Sequence, residues 1–86
     1  MVQGHTVIKN QTGLHARPAA QLVQLAKKYN SRITISGGLK TSDAKSIFSI
    51  LHACLKQGTE VCVTAEGEDE QQALADVVAY IDGLEE

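Results

Sequence analysis

The chain has 86 residues, enough for one domain with a small hydrophobic core. Eight basic and ten acidic side chains give a net charge of −2, and only two tyrosines and one phenylalanine are present, which argues against binding nucleic acid or a membrane surface. No stretch approaches the roughly 20 apolar residues of a membrane span, and no basic segment followed by an apolar run marks a signal peptide. We expect one cytoplasmic domain over residues 1–86.

The first half of the chain predicts a strand, a helix and a hairpin. Alternation is weak over 2–8, where Val2 is the first apolar residue of the inward face. Apolar residues that recur every three or four positions predict a helix over 16–28. The β-branched alternation of 32–36, the Gly37-Gly38 turn and a polar edge strand over 39–43 complete the hairpin.

The second half predicts a helix, a strand and a helix. The first of these helices begins after Ser46, and its apolar stripe consists of Ile47, Ile50, Leu51, Cys54 and Leu55. A strand follows over 60–65. Asp69 is the expected N-cap of the last helix, with Gln72 at the capping-box position. Helices with a single apolar stripe pack on one face of one sheet, so the order β-α-β-β-α-β-α predicts an open-faced α+β sandwich.

Two cysteines, Cys54 and Cys62, lie in this half with seven residues between them. That spacing is not one of the usual metal-ligand spacings, and a small secreted fold normally carries more cysteines. We expect reduced thiols, no bound metal and no cofactor.

The residues from Thr12 to Ala20 place a histidine at the start of the first helix, because Pro18 is favoured in a first helical turn. His15 then lies near the N-cap, and the backbone N–H groups of Ala16 and Arg17 remain free for a ligand. Such N–H groups and the helix dipole attract anions, and a guanidinium adds a charge suited to phosphate.

A neutral imidazole in this position is a candidate nucleophile toward phosphorus. The alternative is that His15 is an ordinary cap or a packing residue, as most histidines near a helix start are. The neighbouring Arg17 favours the phosphate interpretation.

The string Gly13-Leu14-His15-Ala16-Arg17-Pro18-Ala19 resembles the active-site signature of HPr, the histidine phosphocarrier family of the bacterial phosphoenolpyruvate-dependent sugar phosphotransferase system. Lys45-Ser46-Ile47-Phe48 is similar to the second motif of the family, and 57–59 with 65–70 resemble its last turn, strand and helix entry. The resemblance covers essentially the whole chain. It implies a four-stranded antiparallel sheet with three helices on one face.

The resemblance also implies a mechanism. His15 would accept a phosphoryl group at Nδ1 from phosphorylated enzyme I and pass it to a histidine of a sugar-specific enzyme IIA. The phosphate would lie against the N–H groups at the helix start, with Arg17 beside it. The Thr12 hydroxyl either touches the phosphate or only stabilises the turn. Such a carrier is expected to be a monomer and to depend on its partners for the remaining catalytic groups.

The second motif predicts a docking surface and leaves the role of one serine open. Ser46 is either a plain helix N-cap or, as in part of the family, a site of regulatory phosphorylation. Phe48 lies on the rim of its helix and either docks partners or packs at the sheet edge. The predicted partner interface comprises Ala20, Lys27, Lys45, Ile47, Phe48 and Leu51. His5 and His52 are assigned to the surface.

Three alternatives remain. A carrier of a nitrogen-responsive phosphotransferase branch has the same fold and the same histidine. A kinase-controlled co-repressor is disfavoured because the known type lacks the active histidine. A small RNA- or metal-binding α/β sandwich is disfavoured because strand aromatics, basic charge and a Cys-x-x-Cys loop are missing.

Overall fold

A computed structural model describes residues 1–37, 40–53 and 55–84. In these ranges the strands are β1 (Val2–Val7), β2 (Arg32–Gly37), β3 (Lys40–Asp43) and β4 (Glu60–Glu66). The helices are α1 (Ala16–Ala26), α2 (Ile47–His52) and α3 (Glu70–Asp82). The predicted order of elements is confirmed, although α1 ends two residues before the predicted end at Lys28.

The four strands form one antiparallel sheet in the order β1-β4-β2-β3. The central strand β4 pairs with β1, where His5 lies opposite Cys62, and with β2, where Ile35 lies opposite Val63. Neither pairing joins neighbours in sequence, because β4 enters between β1 and β2. The four-stranded antiparallel sheet implied by the family resemblance is confirmed.

Alternating residues of the sheet face two different environments. The inward side chains of the central strands are fully buried, as at Ile33 and Val63, whereas outward neighbours such as Thr34 and Cys62 are half-buried. The buried helix residues that complete the core are Pro18, Ala19, Leu22, Val23, Ala26, Ile50, Ala73, Val77 and Ile81. The helices therefore cover one face of the sheet and leave the other open, as predicted.

Three predicted features fall on residues outside the described ranges. These are Gly38 in the hairpin turn, Leu39 at the start of the edge strand, and Cys54 in the apolar stripe of α2. Cys62 is a free, half-buried thiol. Within the described part of the chain, no helix is both long enough and apolar enough to cross a membrane.

The predicted capping box of α3 is wrong. Asp69 is the N-cap by position, but its side chain makes no bond to its own helix. Its carboxylate instead accepts hydrogen bonds from the backbone N–H groups of Asn30, at 2.9 Å, and Ser31, at 3.0 Å. Gln72 donates from Nε2 to Asp76 at 2.9 Å. The capping rule assigns this carboxylate to α3, but in the structure it binds the distant backbone of Asn30 and Ser31 instead.

Candidate functional site

His15 lies at the start of α1, as the sequence predicts. It is the N-cap residue, with an extended backbone at φ −84° and ψ −167°. Its side chain is exposed and makes no capping hydrogen bond. The imidazole is therefore open to solvent and to an approaching protein.

The first turn of α1 leaves backbone donors available beside this imidazole. The first intrahelical bond runs from the Ala19 N–H to the His15 carbonyl, at 2.9 Å. The N–H groups of Ala16 and Arg17 precede it and have no carbonyl four residues back within the helix, and Pro18 has no N–H. No acidic side chain lies in this turn, and the Arg17 side chain is exposed. The helix start therefore combines free donors, the positive dipole end and a guanidinium.

The loop before His15 is held by a second loop, at 55–58, a contact that no pattern in the sequence predicted. The Leu14 N–H donates to the Leu55 carbonyl at 2.9 Å. Gln57 donates from Nε2 to the Lys9 carbonyl at 3.0 Å. Gly13 has a φ of +67°, and a Cβ at this position would lie 2.3 Å from the Leu55 carbonyl oxygen. Glycine is required here both by backbone conformation and by space.

Helices α1 and α2 lie side by side and run in opposite directions. The end of α2 leads to Leu55, which binds the loop before α1, whereas its beginning follows Lys45. Lys45 donates from Nζ to the Tyr29 carbonyl, beyond the end of α1, at 2.7 Å. This lysine, predicted to contact partners, is half-buried and engaged within the chain.

The exposed surface of these two helices contains the other predicted interface residues. Phe48 is 72% exposed, so its predicted position on the rim of α2 is confirmed. Ala20 and Lys27 are exposed on α1, and Ile47 and Leu51 are half-buried. At about 1.5 Å of rise per residue, Lys27 lies roughly 18 Å along the axis from His15. The predicted interface therefore extends along the helices instead of clustering beside the histidine.

Further predictions concern four single polar residues. The Ser46 hydroxyl accepts from the Ser49 N–H at 3.4 Å, which confirms its role as the N-cap of α2. Its regulatory phosphorylation stays an open alternative, as does contact of the exposed Thr12 hydroxyl with phosphate. His5 and His52 are exposed, as predicted.

Charge is divided unevenly between the helices. No acidic residue precedes Asp43 in the chain, whereas α3 contains Glu70, Asp76 and Asp82 and no basic residue. The neighbouring α1 contains Arg17 and is followed by two lysines. The positions of the charged residues in the sequence show this separation, whereas the net charge of −2 alone does not.

A depression with a volume of about 560 Å³ lies elsewhere, at one end of the sheet. His5, Ser36, Glu60 and Cys62 are among its lining residues, and no residue of the histidine motif is. Within the described ranges, no group of three or more His, Cys, Asp or Glu side chains is arranged to hold a metal ion. His15 lies outside this depression, and its side chain is exposed.

Comparisons with known proteins agree on one family. The family profile PTS-HPr, described as the PTS HPr component phosphorylation site, matches residues 2–82. The phosphocarrier protein HPr of Haemophilus influenzae is 51% identical over 73 residues, which cover 85% of this chain and 86% of that protein. The crystal structure of HPr-C-His from Thermoanaerobacter tengcongensis has a TM-score of 0.84 and 43% identity, and the match covers all of both chains.

A third similar structure bears on oligomeric state. The crystal structure of the catabolite repression protein Crh of Bacillus subtilis, described as a dimer with a swapped domain, has a TM-score of 0.75 and 41% identity, covering 95% of this chain and 94% of that one. Because this relative is a dimer, the expected monomer stays a prediction.

Proposed function

This chain belongs to the HPr family of phosphocarrier proteins of the phosphotransferase system, and we propose that His15 is the residue that carries its phosphoryl group. The observation that supports this assignment is the exposed imidazole at the start of α1, beside free backbone donors and Arg17. The other two histidines of the chain, His5 and His52, lie on β1 and at the end of α2, where no helix begins.

The transfer requires an uncharged imidazole with its proton on Nε2. The Nδ1 lone pair then attacks phosphorus, a nitrogen–phosphorus bond forms, and the bond from phosphorus to the donor protein breaks and leaves its electron pair with the donor. The phosphoryl oxygens lie against the N–H groups of Ala16 and Arg17, where the helix dipole favours negative charge. The Arg17 guanidinium contacts the same oxygens, and the Thr12 hydroxyl either donates to them or only stabilises the turn.

The partners are proteins with acidic surfaces. The exposed side chain of Phe48 gives the surface of α1 and α2 an apolar residue, and the exposed Arg17 and Lys27 add positive charge near the two ends of α1. Electrostatic attraction of this kind raises association rates and disfavours wrong partners. We infer that the donor is enzyme I and the acceptor a sugar-specific enzyme IIA, both encountered in the cytoplasm by a monomeric carrier.

The deciding experiment is incubation of the chain with phosphoenolpyruvate and enzyme I. The expected product is one added phosphoryl group that acid removes and that peptide mapping places on His15. His15→Ala is expected to abolish the mass gain and to leave the thermal unfolding curve unchanged, because this side chain is exposed. His52→Ala is the matched control and should accept phosphate like the natural chain.

An unchanged mass under conditions that phosphorylate a known carrier would contradict the proposal. Phosphorylation of the His15→Ala variant under the same conditions would also contradict it. A carrier of the nitrogen-responsive branch is distinguished by rate, because it accepts phosphate faster from the enzyme I of that branch than from the sugar-specific enzyme I.

A further inference from the structure

A buried asparagine closes the loop in front of His15. Asn10 is 2% exposed, although it belongs to a surface loop. Its backbone carbonyl accepts from the Gly13 N–H at 3.2 Å, and its side-chain Nδ2 donates to the Gly13 carbonyl at 2.8 Å. One residue therefore holds both backbone polar groups of Gly13.

The peptide unit between Gly13 and Leu14 is consequently fixed at both ends. Asn10 holds its carbonyl, and the Leu55 carbonyl accepts from its N–H at 2.9 Å. His15 follows directly, and its side chain makes no capping bond of its own. The direction of the imidazole is therefore set by the backbone that leads into it.

A glycine at position 13 makes this double restraint necessary. Glycine enters left-handed and right-handed backbone conformations with similar ease, so a peptide beside it rotates at little cost. The peptide unit is planar, so its carbonyl and N–H rotate together, and the bond to Leu55 alone restrains that rotation from one side. The bond from Asn10 restrains it from the other side.

The carbonyl oxygen of the Asn10 side chain gives an independent indication that this residue fixes the geometry of the loop. Its Oδ1 atom is buried and has no hydrogen-bond partner among the described residues. A buried polar atom without a partner loses its bonds to water and gains none, which offsets part of what the Nδ2 bond contributes to stability. An asparagine at this position therefore fixes geometry more than it stabilises the fold.

We propose that Asn10 is a positioning residue for His15: its side-chain amide fixes the Gly13–Leu14 peptide, and this peptide directs the imidazole out of the start of α1. The inference rests on the proposed role of His15 as the phosphoryl acceptor. Asn10 acts through the backbone and does not touch the transferred group.

Steady-state phosphorylation by enzyme I, with the concentration of the carrier varied, tests the consequence for transfer. Asn10→Ala is expected to lower kcat about tenfold, because a misdirected nucleophile reacts slowly even when docking is intact. KM should not change, since the α1–α2 surface is untouched. Gln11→Ala, which alters the exposed neighbour, should retain both constants. An unchanged kcat, or a loss confined to KM, overturns the proposal.

A second variant tests the hydrogen bond itself and needs no phosphorylation. In Asn10→Asp the ionised carboxylate has no proton to donate to Gly13, so the amide NMR signals of Leu14 and His15 should be displaced at neutral pH. As the pH falls and the introduced carboxyl gains a proton, its O–H can donate, and the displacement from the natural chain at the same pH should shrink. A displacement that persists after protonation overturns the proposal.

The two arms separate the possible failures. If the natural chain accepts no phosphate, the function proposed for His15 fails, and the NMR arm still decides whether Asn10 fixes the peptide. If Asn10→Ala does not fold, the acid recovery of Asn10→Asp decides.

Discussion

The starts of α1 and α3 are built in opposite ways. At α1, the exposed His15 makes no capping bond, and no acidic residue lies in the first turn. At α3, Asp69 accepts from two backbone N–H groups and from the Ser31 hydroxyl. Glu70 accepts from the Gly67 N–H at 3.1 Å and pairs with the N-terminal amine of Met1 at 3.1 Å.

This difference determines what each helix end can bind. The positive end of a helix favours negative charge within its first turn. The start of α3 already has carboxylates of its own there. Hydrogen bonds, first that from the Ser31 hydroxyl, hold the pKa of Asp69 below its usual value, and the Gly67 N–H does the same for the pKa of Glu70. The start of α1 has no such anion, so its attraction remains available to a phosphoryl group.

The largest effect is expected from Gly13→Ala, because the open start of α1 depends on the loop packed against Leu55. The added Cβ would lie 2.3 Å from the Leu55 carbonyl oxygen at a φ of +67°. We expect a loss of about 3 kcal/mol in the free energy of unfolding, together with slower phosphorylation of His15. Urea denaturation measures the first quantity.

Gly58→Ala is the matched control. Gly58 also has a positive φ, at +89°, but nothing lies within 4 Å of a Cβ built there. It should cost only about 1 kcal/mol for the backbone conformation. Equal losses in the two variants would mean that the contact with Leu55 does not matter.

The next effect concerns Arg17, whose exposed side chain lies in the first turn of α1. Arg17→Lys retains the charge and loses the planar fork that binds two oxygens at once. We expect kcat for phosphorylation to fall about tenfold. Lys27→Arg, at the far end of α1, should leave kcat unchanged. If Arg17→Lys retains full activity, charge alone is sufficient at this position.

A smaller effect is expected from Phe48→Ala on the exposed surface of α2. Phe48 is 72% exposed, so the free energy of unfolding should change by less than about 0.5 kcal/mol. KM for enzyme I should rise about fivefold with kcat unchanged, because an exposed aromatic anchors docking and not chemistry. His52→Ala on the same helix is the control. A marked loss of stability would instead assign Phe48 to packing.

Local signals were sufficient to predict the order of the elements and the place of His15 at the start of α1. Pro18 is favoured in a first helical turn, so it predicts that α1 begins near His15, and His15 is its N-cap. The alternation of β2 and β4 identifies which of their residues face the core. Each of these conclusions depends on residues within a few positions of one another.

Contacts between distant segments could not be predicted in this way. Leu14 and Leu55 are brought together only by the packing of α2 beside α1, and no periodicity links them. Asp69 has the sequence signature of a helix cap, yet it binds Ser31, which is 38 residues away. The capping rule correctly identifies Asp69 as the N-cap residue, but it assigns the wrong hydrogen-bond partner to the carboxylate.

Asp69→Asn tests the closed start of α3 and is expected to have the smallest effect. Because the folded-state pKa of Asp69 lies below its usual 3.8, its stabilisation is complete above that value and disappears as the pH falls through the folded-state pKa. Asp69→Asn should therefore lower the melting temperature at neutral pH, and the two proteins should converge in strong acid. Glu68→Gln, at an exposed neighbour, should follow the natural chain throughout. A constant difference between Asp69→Asn and the natural chain at every pH would mean that shape, and not ionisation, explains the contribution of Asp69, and the contrast between the two helix starts would then not be electrostatic.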